Sequence, residues 1–289
     1  MIRIRVSAST SNLGSGFDCV GLALSMKSLY AFDAANRFQT KRFKTGHLPH
    51  KNPVIRAYQS VFERLGYASD LVPISVTEVK NDIPMTRGLG SSAACVVAGI
   101  FAANRILGDP WTKDECFEHA ARIEGHPDNV APVIFGGMVA SYSSPQGYVR
   151  TSYPVDEKLV FHVLIPPFSA RTRQAREALP EHVLHRDAAS AVARALFIPK
   201  AFAAGDIDRI RDIFDDTLHE PYRYPLIPGG RKIKERLERG GHAVAISGSG
   251  STLLIVSKNV PLDRSCIDPS WEIRKVEVDY DGVEIISQG

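Results

Sequence analysis

The sequence predicts an α+β fold in two domains, and three observations carry this. Stretches of period-two alternation and stretches of helical spacing are grouped, with no regular strand–helix–strand repeat. The chain has 289 residues, which at roughly 150 residues per domain gives about two domains. A break in composition, rich in Ser and containing Pro and Gly, falls at residues 143–154. The boundary is placed there, giving halves 1–150 and 151–289.

The elements follow in order. Ile2, Ile4 and Val6 alternate with Arg3 and Arg5 and read as a strand. Residues 7–18, rich in Ser, Thr, Asn and Gly, read as a loop, and 19–30 resume as an apolar strand. Residues 32–45 are mixed and basic and read as a second hairpin. Val54, Ile55, Ala57, Tyr58, Val61, Phe62 and Leu65 have helical spacing, and Gly66 is the stop signal. Residues 72–79 alternate again. An apolar helix runs from Ala93 to about Leu107, closed by Gly108-Asp109-Pro110. Thr112 with Glu115 three residues later forms a capping box that opens a helix to about Ile123. Residues 125–132 read as a loop, and Gly136-Gly137 lead into a strand over 138–142. In the second half 158–165 is an apolar strand. Helices are expected from about 169, over 188–204, over 207–218 and from Gly229-Gly230 to 239. Residues 243–246 and 252–256 flank a Gly/Ser loop as a hairpin, and 271–286 read as strands.

Composition narrows the function. The 35 basic and 32 acidic residues leave a net charge of +3. That is too balanced to point to nucleic acid or a membrane surface as partner. With 44% hydrophobic and 23% charged residues, the chain is globular rather than disordered. The longest run of small and apolar residues, 93–103, is far short of the roughly 20 needed to span a bilayer. The N-terminus has no apolar signal core. Cys19, Cys95, Cys116 and Cys266 are far apart, with neither a zinc spacing nor a Cys-x-x-Cys pair. They read as small core residues in a reducing compartment. A cytoplasmic enzyme or binding protein for small molecules remains.

Three polar, Gly-rich loops carry the chemistry. The strongest is Pro84-Met85-Thr86-Arg87-Gly88-Leu89-Gly90-Ser91-Ser92-Ala93-Ala94. Its Gly-x-Gly turn opens directly into an Ala-rich helix. Glycines let the backbone approach a ligand, and the first helical turn offers free N–H groups and the positive end of the dipole. Two hydroxyls can cap the helix, bond a phosphate oxygen or hold a metal. No Lys follows the last Gly, so this is not a Walker A loop, and the dinucleotide fingerprint is absent too. The second is Ser7-Ala8-Ser9-Thr10-Ser11-Asn12-Leu13-Gly14-Ser15-Gly16-Phe17-Asp18, and the third Ile246-Ser247-Gly248-Ser249-Gly250-Ser251-Thr252. Alone, each of these two reads as a turn.

Together, and in this order, the three resemble the signature motifs of the GHMP kinase superfamily over nearly the whole chain. Within it the sequence is similar to the homoserine kinases. Glu124-Gly125-His126-Pro127-Asp128-Asn129-Val130-Ala131-Pro132 resembles their segment ending Asp-Asn-Val-Ala-Pro. The stretches Thr172 to Pro180 and His219 to Gly229 resemble their Thr-x-x-Ala-Arg-x-x-Leu-Pro and Glu-Pro-x-Arg-x-x-Leu-Ile-Pro. The first motif departs: Ser7-Ala8-Ser9-Thr10 stands for Pro-Ala-Thr-Ser, and Gly14-Ser15-Gly16 for Gly-Pro-Gly. The resemblance implies a ribosomal-protein-like N-terminal domain, a ferredoxin-like α/β C-terminal domain, and a homodimer. It also implies ATP-dependent phosphorylation of the L-homoserine side-chain hydroxyl, in threonine biosynthesis, with Mg2+.

The same resemblance places Asn12, Asp18, Asn129, Thr172, Arg176 and Arg223 around the amino acid. Chemically, Asp18 suits the ammonium, and the forked arginines suit the carboxylate. Asn12 and Asn129 are expected near the hydroxyl. Ser92 and Glu124 would hold Mg2+, and residues Pro84, Arg87, Gly88, Leu89, Gly90, Ser91, Ser92, Ala93 and Ala94 would cradle the nucleotide. The Asn52-Pro53 helix start is a candidate for the adenine, which backbone and apolar surface can equally hold. Mevalonate-kinase-like relatives carry an Asp seven residues before the Gly-Gly; here Asn129 stands there, so no general base is expected. Asp128 is read as structural rather than as a base. Two alternatives stay open: another small-molecule kinase of the superfamily, such as a mevalonate-pathway enzyme, or a non-catalytic binding relative.

Overall fold

The computed structural model describes residues 1–43, 48–169 and 172–287. The first sheet has seven strands. β1 (Ile2–Ser11) pairs antiparallel with β2 (Val20–Ala34), and β2 with β4 (Ile74–Asn81). The short β3 (Gln39–Lys41) pairs parallel with β4 at the edge. On one helical layer lie α1 (Pro53–Arg64), α2 (Ser91–Ile106), α3 (Lys113–Glu124) and the short α4 (Val130–Phe135). β5 (Met138–Ser144) joins β2 and forms a hairpin with β6 (Gly147–Tyr153).

β7 (Val160–Ile165) opens the second sheet. α5 (Thr172–Glu177), α6 (His185–Ala195), α7 (Ile198–Ala204), α8 (Ile207–Ile213), α9 (Glu220–Arg223) and α10 (Gly230–Arg239) follow. β8 (Ala243–Ile246), β9 (Leu253–Ser257) and β10 (Glu272–Val276) complete it in the order β10-β7-β9-β8. β11 (Glu284–Ser287) then returns to the first sheet beside β1. One apolar core runs across both halves, from Ile4, Leu22 and Val97 to Phe161, Phe202 and Leu254. Among the described residues no helix is long and apolar enough to cross a membrane.

Local chemistry explains the elements that the sequence announced. Asn52 accepts from the Val54 and Ile55 N–H groups (2.9 and 3.3 Å) and so starts α1 at Pro53. Thr112 and Glu115 make both bonds of a capping box at α3. α2 is buried along most of its length, as an all-apolar helix between layers must be.

Five expectations need correction. The first strand does not end at Val6. Ser7 to Ser11 continue it across a bulge, because their backbones pair with β2 and the buried hydroxyls of Ser9, Thr10 and Ser11 meet Asn129 and Ser247. The basic stretch 32–45 is not a hairpin: β2 runs to Ala34 and β3 pairs with β4 instead, while residues 44 and 45 lie outside the described residues. The loop expected at 125–132 gives way to α4 from Val130. The helix expected over 188–204 is two helices, since Pro199 is accommodated only in a first turn. The helix expected to Leu218 stops at Ile213; Asp216 beyond it accepts from the His219 and Glu220 N–H groups (2.7 and 2.9 Å) and starts α9, which periodicity did not show. The tail strands β10 and β11 belong to different sheets. The helix expected from about 169 is α5, from Thr172.

Candidate active site

The three Gly-rich loops are hydrogen-bonded to one another. Ser9 N donates to Leu89 O (3.2 Å), Gly248 N to Ser11 O (3.0 Å) and Thr252 N to Arg87 O (3.2 Å). Ser247 Oγ donates to Gly88 O (2.7 Å) and lies 2.8 Å from Thr10 Oγ1. Gly88 and Gly90 have φ of +75° and +68°, and a Cβ on either would collide, with Ser247 O or Ser9 Oγ. Glycine is therefore required twice by close approach and by a left-handed backbone. Gly90 is the N-cap of α2, with no side-chain cap; the first intrahelical bond is Ala94 N to Gly90 O (2.9 Å). The N–H groups of Ser91, Ser92 and Ala93 precede it, at the positive end of a 16-residue helix.

These N–H groups open onto a cleft of about 370 Å3. Asn12, Asp18, Gly88, Gly90, Ser91, Ser92, Ala93, Glu124, Asn129, Thr172, Arg176 and Arg223 all line it. The structure thus gathers residues from Asn12 to Arg223 that the sequence had singled out. Leu89 is instead buried in the core, Ala94 is buried and lines a second pocket beside Ser91, and Pro84 and Arg87 line a separate groove. The cleft also takes in His126, Asp128, Gly248 and Ser249. The last two sit in the third Gly-rich loop, whose composition was their only signal.

At the helix end of the cleft Ser92 Oγ donates to Glu124 Oε1 (2.7 Å). Burial pushes the Glu124 carboxyl above its ordinary range, although Ser92 and His126 pull it back. Neither Ser91 nor Ser92 caps α2. Asn129 is held against β1: it accepts from Ser9 Oγ (2.9 Å) and donates to Ser11 Oγ (2.8 Å). Beside it, Asp128 Oδ1 meets His126 Nδ1 at 2.8 Å. Burial alone would raise Asp128, but His126, Ser11 and the Asn129 backbone hold it below its ordinary value. The same bond raises His126.

At the opposite end Arg176 Nη1 and Nη2 each reach an Asp18 oxygen at 3.2 Å. Asn12, at φ +58°, donates to Gly248 O (2.8 Å) and accepts from Asp18 N (2.9 Å). Both ends of its amide are thereby used to brace the loop. Arg223 is 1% exposed. It donates to Gly248 O (3.0 Å) and Ala175 O (3.4 Å), lies 5.2 Å from the Phe17 ring, and meets His219 Nδ1 at 3.2 Å. Burial pulls Arg223 down to about 10, so it is a cation at neutral pH. Burial also lowers His219 to about 4, so it is neutral there. Its Nε2 donates to Gly14 O (3.2 Å), which leaves Nδ1 to accept from Arg223. Thr172 Oγ1 lies 3.2 Å from Ser249 Oγ across the mouth.

A second, narrow and largely apolar pocket adjoins Ser91. Tyr30, Phe43, Asn52, Ile83, Met85 and Cys95 line it. Asn52 Nδ2 is buried there without a hydrogen-bond partner.

Comparison with known proteins agrees with this geometry. Residues 52–137 match the family model for the GHMP kinases N terminal domain, and 199–261 that for the GHMP kinases C terminal. A homoserine kinase of Clostridium botulinum (strain 657 / Type Ba4) is 34% identical over 99% of this chain and 98% of its own length. The solved structure of a homoserine kinase from Cytophaga hutchinsonii superposes with a TM-score of 0.84 at 25% identity, covering 99% of this chain and 97% of that one. A putative homoserine kinase from Listeria monocytogenes gives 0.81 at 26% identity over 100% of both chains. The chain belongs to the GHMP kinases, in the branch of the homoserine kinases.

Proposed function

We propose that the protein transfers the γ-phosphoryl group of ATP to the side-chain hydroxyl of L-homoserine, giving O-phospho-L-homoserine for threonine synthesis. One observation carries the reading. A single cleft joins a helix N-terminus suited to phosphates with Asp18, Arg176 and Arg223, the charges that a zwitterionic amino acid needs. Residues 1–150 would supply the phosphate loop, and 151–289 would complete the substrate side. The homoserine ammonium would take the place of Arg176 on Asp18, and the carboxylate would take the freed Arg176 and Arg223. The adjoining pocket, about 20 Å3 as it stands, would have to open to take the nucleobase, which would then give the orphaned Asn52 Nδ2 an acceptor.

Ser92 and Glu124 fit Mg2+. They are hard oxygen donors in contact, and the half-buried Glu124 carboxyl faces the cleft. Among the described residues no cluster of three metal-ligating side chains occurs, and an ion shared with phosphates needs only one or two. When bound, Mg2+ would neutralise charge on the β- and γ-phosphates.

In the transfer the hydroxyl oxygen bonds to the γ-phosphorus, the bond to the β-γ bridging oxygen breaks, and the hydroxyl proton is lost to solvent. The loose transition state of phosphoryl transfer makes positioning and charge stabilisation the main contributions. The free N–H groups of Ser91, Ser92 and Ala93 face the growing charge, and Asn129, locked by Ser9 and Ser11, orients the hydroxyl. Asp128 is a poor base because its carboxyl is held low and bonded to His126. Asp128→Asn is therefore expected to retain near-normal turnover; a loss of about 10³-fold or more would make Asp128 the base. The cytoplasm, where ATP and free amino acids meet, is the compartment this reading requires. A homodimer is the assembly the family resemblance implies, and sedimentation reads it.

The decisive assay couples ADP release to L-homoserine, mevalonate and a panel of sugars. Turnover with L-homoserine is expected. Inert homoserine with an active mevalonate or sugar would move the chain to another substrate of the same superfamily. Failure to bind Mg-ATP by calorimetry would make it a non-catalytic relative.

A further inference from the structure

Arg87 stands in the phosphate loop, where an arginine is expected to hold phosphate. Its guanidinium turns the other way. It lines a separate groove of about 550 Å3 together with Pro84, Pro166 and Arg274. Nε donates to Pro166 O (3.3 Å), Nη2 to Pro167 O (3.3 Å) and Nη1 to Met85 O (3.4 Å). All three guanidinium nitrogens are therefore engaged with backbone carbonyls, and Nη1 also reaches Oγ1 of Thr86 (3.4 Å), a residue at the edge of the cleft.

The carbonyls that Arg87 grips belong to a particular segment. Pro166 and Pro167 follow β7 and lead towards α5, which carries Thr172 and Arg176. Ala175, in the same helix, accepts from Arg223. The next residue, Phe168, accepts from Ser251 Oγ (2.9 Å), in the third Gly-rich loop. Two of the three Gly-rich loops thus hold three successive carbonyls of the approach to α5. Two adjacent prolines have no N–H with which to pair into a sheet, so side-chain donors are what fix this stretch. A planar fork meets two neighbouring carbonyls in a fixed geometry, which an ammonium on a flexible stem does not impose.

We propose that Arg87 is a positioning residue. It clamps the approach to α5 against the phosphate loop, and so sets where Thr172 and Arg176 stand relative to the transferred phosphoryl group. The inference rests on the homoserine kinase reading for its kinetic consequence, but not for its structural one.

The test compares the wild-type protein with Arg87→Ala and Arg87→Lys. KM for L-homoserine, calorimetric affinity for a non-hydrolysable Mg-ATP analogue alone, and amide exchange across 172–179 are measured. In Arg87→Ala, KM for homoserine is expected to rise about tenfold, nucleotide affinity to change by less than about twofold, and exchange in α5 to accelerate. Arg87→Lys, which keeps the charge but not the fork, is expected to resemble Arg87→Ala. A tenfold or so loss of nucleotide affinity with an unchanged homoserine KM would overturn the proposal and make Arg87 a phosphate ligand. Wild-type behaviour of the lysine variant, or unchanged exchange in α5, would overturn it as well. If the wild-type protein turns over no homoserine, the substrate reading fails by itself. Nucleotide affinity and α5 exchange then still decide the role of Arg87.

Discussion

Arg223→Ala is expected to lower kcat/KM for L-homoserine by at least tenfold, about 1.4 kcal/mol, with most of the change in KM. Arg223 lines the substrate end of the cleft, and its hydrogen bonds among the described residues run through Nε and Nη1. Nη2 remains for a carboxylate. The cation is held at the point of need by His219, which is neutral because burial lowers it to about 4. A protonated His219 would repel the guanidinium instead. The substitution also leaves Gly248 O and Ala175 O without their donor, so a lower melting temperature is expected too. The kinetic effect is separated from it by measuring KM for ATP at saturating homoserine. An ATP KM that rises in step with that for homoserine would show a general loosening of the cleft rather than a lost carboxylate partner.

Gly90→Ala is expected to damage both stability and turnover. The added Cβ collides with Ser9 Oγ, and the residue must hold φ at +68°. Ser9 in turn orients Asn129. We expect a destabilisation of about 2–4 kcal/mol and a fall in kcat of about 100-fold, read by thermal melts and by turnover. Gly108→Ala is the control. Its φ of +83° carries the same backbone strain, but no atom lies within 4 Å of the new methyl. It should cost about 1–2 kcal/mol and leave kcat unchanged. Equal effects at the two positions would mean that backbone strain alone, and not the contact with Ser9, matters at Gly90.

The contrast between these glycines also explains what could be read beforehand. α1 and α3 were legible because their signals are local: seven apolar residues at helical spacing, and a cap with its partner three residues away. The phosphate loop was legible because Gly-x-Gly before an apolar helix has few structural meanings. The polar half of β1 was not. Ser9, Thr10 and Ser11 look like loop until their partners are known, and those partners are Asn129 and Ser247. Burial of a hydroxyl is acceptable only with a bond, and that bond is invisible in a local window. The direction of Arg87 was hidden for the same reason, since Pro166 and Pro167 lie 79 and 80 positions away. α9 is a single turn, created by the carboxylate of Asp216 rather than by any periodic face.

The return of β11 to β1 bears on how the chain is made. β1 is synthesised long before its outer neighbour, Glu284 to Ser287, with which it pairs antiparallel. Contacts this distant in sequence raise the contact order and slow folding. Until they form, β1 presents an open strand edge with Ile2 and Ile4 along it, the kind of surface that invites pairing with another chain. The strands β1 to β6 can therefore assemble most of this sheet during synthesis, but its outer seam closes only once β11 has been made.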